Sequence, residues 1–280
     1  MAKLSPNLKA LIAAPFARPD PTAAPAHIAD VYRSIASDAA KNNVSLKPWL
    51  ALSSAATFTL NSPESLSAIH SVATSYAPSG ETNPKVMVAE FIREVGLKCI
   101  SFNGIPRTIN CLNAFHASLP ANVRSQLETR PTRQPTTANL NNISSRGRGL
   151  WDSIYAPFEG KLVTKLATSH PDLPVHILNS HYGPLLADPA ERGGLAKTGR
   201  ILTSVIAISC LRAQTGVAPQ VTSHVFGLRK GIEDGTYKAE GEEEVQGVEW
   251  LATNEGSEWI LRSVDTIVKS LGGSNFSPKL

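Results

Sequence analysis

The run Ile201 to Leu211 is apolar on every side of a helical wheel and carries no charged residue. A helix of that composition is stable only when other elements surround it. The run is also too short to span a bilayer, which takes about 18 apolar residues. Most other apolar positions recur at three- and four-residue spacings, and strand-like alternation is nowhere sustained, so the predicted class is all-α. At 280 residues and 42% hydrophobic, the chain can bury a substantial core.

Ile28 to Ala40 reads as an amphipathic helix and Leu46 to Leu60 as a more apolar one. Asn61-Ser62-Pro63-Glu64 restarts the chain, with Ser62 placed to cap free amides and Pro63 suited to the first helical position. The helix it starts runs to about Tyr76. Val88, Phe91, Ile92, Val95, Cys99 and Phe102 share one helical stripe, which Asn103-Gly104 ends before a helix from Ile105 or Pro106 to about Ser118. Arg130 to Gly149 is rich in Pro, Thr, Asn, Ser and Gly, contains no acidic residue, and reads as a solvated basic linker. Leu150 to Ala167 is helical with a break near Pro157, and Val175 to His181 forms a short helix. Val217 to Ile232 follows, with Val217, Val221, Val225, Leu228 and Ile232 as its buried stripe. A last helix uses Val248, Leu251, Trp259, Ile260, Val264, Ile267 and Leu271. The expected organisation is a flexible segment 1–20, a first helical unit 21–129, the linker 130–149 and a second helical unit 150–280.

A net charge of +4 with scattered basic residues gives nucleic-acid binding little support. Cys99, Cys111 and Cys210 form an odd set without close spacing, which points to reduced, buried thiols and an intracellular compartment. His176 and His181, five apart, do not share a face of an α-helix, and no carboxylate cluster accompanies them, so no metal is expected. No phosphate loop or dinucleotide fingerprint is present, and no cofactor is expected. Lys3, Lys9 and Arg18 precede the first acidic residue, Asp20, in weak likeness to a mitochondrial presequence. Pro278-Lys279-Leu280 departs at its first position from the peroxisomal S-K-L address. Neither signal displaces a cytoplasmic default.

Arg200-Ile201-Leu202, the apolar helix behind it, and Gln220-Val221-Thr222-Ser223-His224 with Gly227 and Gly231 resemble the core of the carboxymuconolactone decarboxylase and alkylhydroperoxidase-D-like superfamily. There, a helix opening Arg-Glu-Leu precedes one carrying C-x-x-C-x-x-x-H, or the same helix without cysteines in the decarboxylases. Arg93-Glu94 through Gly104-Ile105-Pro106-Arg107-Thr108-Ile109-Asn110 resembles a second copy. The resemblance implies an alkylhydroperoxidase-D-like bundle of two related helical units and a homo-oligomer, with apolar surface on Val88 to Phe102 or the last helix as the packing face.

Carried over residue by residue, the resemblance yields a depleted site. The redox cysteine positions hold Val217 and Gln220, and the glutamate of the Arg-Glu-Leu opening is Ile201, so no thiol peroxidase activity is expected. His224 alone remains in the second unit; the first keeps Glu94 but has Pro106, Ile109 and Asn113 at the other reactive positions. His224 is the candidate acid/base, with His181, Tyr182 or Glu94 as its partner. Arg107 is a candidate clamp for a substrate carboxylate, with Tyr182 and Gln220 as further contacts. A packed histidine on the edge of the buried stripe would look identical in sequence. An ion pair from Glu94 to Lys98 on a solvated face is the structural alternative for the carboxylate. The implied activity is lyase-like, on a small organic acid or lactone. The alternative is a catalytically inactive helical scaffold acting in oligomerisation or partner binding.

Overall fold

The computed structural model describes residues 3–239 and 241–276, and among them the chain is all-α, with no strand. The C-terminal Pro278-Lys279-Leu280 lies outside the described residues. No helix is long and apolar enough to cross a membrane among those described.

The helices are α1 (Pro6–Ile12), α2 (Ile28–Lys41), α3 (Leu46–Thr59), α4 (Pro63–Ser75), α5 (Pro84–Lys98), α6 (Ile100–Asn103), α7 (Ile105–Ser118) and α8 (Ala121–Arg124). They continue as α9 (Leu140–Tyr155), α10 (Glu159–Ser169), α11 (Asp172–His176), α12 (Gly199–Gln214), α13 (Ala218–Glu233), α14 (Val248–Leu251) and α15 (Asn254–Ser270). A π-helical segment, Ile177–Leu186, follows α11 directly.

Helices α3 and α12 form the centre and pack on each other. As the sequence predicts, α12 is buried from Arg200 to Leu211, and α3 matches it almost residue for residue. Ala51, Ser53, Ser54, Ala55 and Ala56 give α3 a small-residue surface, which lets the neighbouring backbone approach closely. Helices α2, α4, α5, α13 and α15 wrap this pair. Apolar side chains from both halves of the sequence join in one cluster, from Ile28 through Leu127 and again from Ile201 through Leu271. Each fully buried Leu, Ile or Phe in it contributes about 1.5–3 kcal/mol. Phe58, wholly enclosed, is a position where truncation to Ala costs about 3–5 kcal/mol.

Several sequence expectations need correction. Segment 1–20 carries an exposed helix, α1, whose Ser5 side chain caps the Leu8 amide. Segment 130–149 is no solvated linker throughout: α9 begins at Leu140, and Arg133 is drawn into a buried ion pair. Ser62 does not cap α4; its hydroxyl bonds that of Ser65 at 2.8 Å. The Val88 to Cys99 stripe is consumed by the chain's own core and is no free packing face, as is most of the apolar face of α15. The buried face of α13 is centred on His224, Gly227, Leu228 and Gly231, rotated slightly from the predicted stripe, of which Leu228 is fully buried and Val225 and Ile232 still pack against the core. The glycines cause the rotation, since they allow α9 and α12 to approach where a side chain would hold them off.

Candidate functional site

His224 projects from the middle of α13 and is 6% exposed. Its Nε2 lies 3.4 Å from the Tyr155 hydroxyl at the end of α9, and that hydroxyl lies 3.1 Å from the Tyr182 hydroxyl on the π-helical segment. The Phe102 ring meets the imidazole edge-on, with centroids 6.2 Å apart, and Trp151 packs on Tyr155 at 4.3 Å. The imidazole Nδ1 is buried without a hydrogen-bond partner among the described residues. Structural buried histidines are ordinarily satisfied, so an orphan nitrogen here calls for explanation.

Arg200 lies behind this cluster. Its guanidinium donates to the hydroxyls of Ser153 at 2.7 Å and Ser204 at 2.6 Å and to the Gly227 carbonyl at 2.6 Å, tying α9, α12 and α13 together. Burial lowers its pKa to about 10, the Glu242 carboxylate acting in the opposite sense. Burial first, and the Arg200 charge second, push the His224 imidazole down to about 4. His224 is therefore neutral at neutral pH. One ring nitrogen donates and the other accepts, and the two phenols extend that chain. Burial raises Tyr155 above its ordinary value, and burial together with Tyr155 raises Tyr182 far more.

Tyr155 also lines a groove of about 750 Å³ between α10 and α13, walled by Ile154, Leu162 and Phe226 and edged by Lys161 and Lys165. Its size and apolar lining with few polar groups match those of small-molecule sites.

The other predicted residues are dispersed. Glu94 is buried, and its carboxylate receives Arg133 and Arg192. Lys98 does not pair with it along the helix. Its ammonium reaches Asp188 at 2.9 Å, the Thr203 hydroxyl at 3.2 Å and the Leu186 carbonyl. Burial acts to raise the Asp188 pKa, but the Lys98 ammonium and the amides of Gly199 and Thr198 outweigh it and hold that carboxyl well below the usual range. His181 bonds the Ser101 hydroxyl at 3.1 Å, away from His224. Its ring also meets His176, with centroids 5.1 Å apart. A five-residue spacing separates side chains on an α-helix, whereas the wider π turn brings them together. Arg107 sits at the far end of the bundle, bonded to the Thr59 carbonyl and Asn275 and lying 3.9 Å over the Phe276 ring. Gln220 is exposed on the first turn of α13. Tyr182 joins the cluster, but one step removed from His224.

Tyr155 is the residue the sequence reading missed. Its only local signal is the Trp151–Tyr155 spacing of four, which puts two aromatic rings on one helical face. All three cysteines are free and buried; the Cys99 and Cys210 sulfurs lie 3.5 Å apart in the core. Burial pushes the Cys111 thiol up to about 12 and Cys99 well above its ordinary value, so these are unreactive packing groups. Among the described residues no cluster of three or more metal-ligating side chains is found.

No protein-family model matches this sequence, and no solved structure matches it. Peroxisomal protein 2 of Saccharomyces cerevisiae is 28% identical to it over 175 residues, a stretch covering 55% of this chain and 59% of the yeast protein.

Proposed function

We propose that this chain is a cysteine-free relative of the carboxymuconolactone decarboxylases that binds a small organic acid or lactone in the groove beside Tyr155. The observation that carries this reading is the buried imidazole of His224, which lacks a backbone partner and reaches the wall of a 750 Å³ groove through the Tyr155 phenol. A further support is that two helix pairs share one layout. In each, a long buried helix (α5, extended by the short α6, or α12) leads to a positive-φ residue, Gly104 or Thr215 with Gly216, and a helix with proline in its first turn follows.

In this reading the neutral imidazole and phenol hydrogen-bond the ligand's oxygen. An anionic ligand nearby would favour protonated His224 and lift its pKa from about 4 toward neutrality. Loss of carbon dioxide from a carboxylate leaves an electron pair on carbon, and the protonated His224 supplies the proton that quenches it. A proton from solvent in the groove, passed on through the Tyr155 phenol, which is left neutral, then restores the imidazolium. Such acid catalysis is worth roughly 10²- to 10⁴-fold in rate.

The test is carbon dioxide release from 4-carboxymuconolactone. The expected result is turnover that His224→Gln and Tyr155→Phe each reduce at least about 100-fold, with thiol-dependent peroxide reduction at background. Turnover that survives both substitutions would overturn the assignment. Absence of turnover, with a stable oligomer in solution, would favour the scaffold. The name of the yeast relative supports a peroxisomal location, which imaging of a fluorescent fusion with and without residues 278–280 tests.

A further inference from the structure

The groove between α10 and α13 has two chemically different parts. Its floor and one wall are hydrocarbon, from Ile154, Leu162, Phe158 and Phe226, and the last two are 62% and 66% exposed. Exposed aromatic rings that converge on one concavity form a binding surface in wait of an apolar partner. Its rim is cationic, but the cations are not equivalent. Arg229 is held by the Ala252 carbonyl and Asn254, and Lys230 by Asp234. Lys161 and Lys165, one turn apart on α10, form no ion pair among the described residues, and both are exposed. Glu233 is the one carboxylate of the lining, and it stands on the opposite helix. The rim nearest α10 thus presents two positive charges without a counter-ion among the described residues, Lys161 resting 5.9 Å from the Phe158 ring centroid, beside an apolar trough.

We propose that the groove takes a free amphipathic carboxylate, with its hydrocarbon body on Phe158, Leu162 and Phe226 and its carboxylate between Lys161 and Lys165. This rests on the groove being the ligand site of the preceding section and specifies its ligand class: a carboxylate that carries an apolar body, not a short, wholly polar diacid. Charge complementarity selects the head group, and the apolar lining selects the body. A concave volume of about 750 Å³ with the Tyr155 phenol in its wall fits a single molecule better than a flat membrane surface.

Isothermal titration of the full chain with octanoate, 1-octanol and succinate tests this. Octanoate is expected to bind at least about tenfold more tightly than either other probe, the effect of two exposed charge pairs. Lys161→Gln with Lys165→Gln is expected to reduce octanoate to the level of octanol. Phe226→Ser is expected to weaken both octanoate and octanol. Both lysines are exposed, so circular dichroism of the double variant should match the parent. Octanoate affinity unchanged in the double variant, or succinate binding as tightly as octanoate, would overturn the proposal. So would failure of octanoate to bind, whether the chain instead co-sediments with phosphatidylserine vesicles or forms a dimer that Phe226→Ser dissociates. Octanoate binding without turnover of 4-carboxymuconolactone leaves this proposal standing and removes the decarboxylase reading; turnover that octanoate does not inhibit does the reverse.

Discussion

Two buried polar clusters flank the core, and they are built on opposite principles. Around Glu94, every charge has a counter-charge: Arg133 and Arg192 converge on its carboxylate, and Lys98 is shared by Asp188, a carbonyl and a hydroxyl. Around His224, an imidazole with one orphan nitrogen meets a phenol at a long 3.4 Å, beside a groove. In the first, the Glu94 carboxylate is taken up by two guanidinium groups, and the leftover capacity sits on the Arg133 Nε, which is buried without a partner among the described residues. The second is looser, with the His224 Nδ1 unpartnered among the described residues and the Nε2 at a long 3.4 Å from the Tyr155 hydroxyl. Glu94 is a structural strut held between two guanidinium groups, whereas the His224 Nδ1 has no partner among the described residues.

The comparison can be broken in four places. Removing the strut should have the largest effect: Glu94→Leu strands two buried guanidinium groups and should cost about 3–5 kcal/mol in urea unfolding. Acidification separates the clusters by pH. As pH falls through 6.5 the unfolded chain protonates His224, whereas the folded chain waits until about 4, so stability drops across that window by about 3 kcal/mol. His224→Gln should remove that slope from stability measured against pH; a slope that persists would place its origin elsewhere. Asp188 acts in a lower window, since its depressed carboxyl stabilises the fold above its ordinary value of 3.8 and loses that contribution as pH falls below it. Tyr155→Phe deletes the bonds to Tyr182 and to His224, the second a long one, and should cost about 1–2 kcal/mol in stability while lowering turnover at least about 100-fold. Smallest of all, Asn113→Ala, at an exposed position of α7, should change stability by less than about 0.5 kcal/mol.

The helices were legible in the sequence because their periodicity is local. The burial of α12 follows from its composition, and the breaks at Gly104 and Pro157 follow from backbone chemistry. The partners of the buried charges were not legible. Glu94 meets Arg133 and Arg192 across long stretches of chain, and each looks like a surface residue in its own segment. The π-helical turn of Ile177–Leu186 was equally hidden, and it decides that His181 faces Ser101 and His176. His224 was found through resemblance, while its rotation to the centre of the buried face depended on glycines whose role is to be small.

Those glycines have a consequence for recognising other proteins built this way. A Cβ on Gly147 would lie 2.5 Å from the Gly183 amide nitrogen, and one on Gly227 would lie 2.7 Å from the Ile154 side chain. Helix α9 is thus clamped against two neighbours by the absence of side chains, and that clamp brings Tyr155 to Tyr182 and His224. Other chains built this way can be sought by the three small residues, Gly147, Gly183 and Gly227, that the tyrosine–histidine chain requires. The durable signature of this architecture is a pattern of vacancies, which substitution erases more readily than it creates.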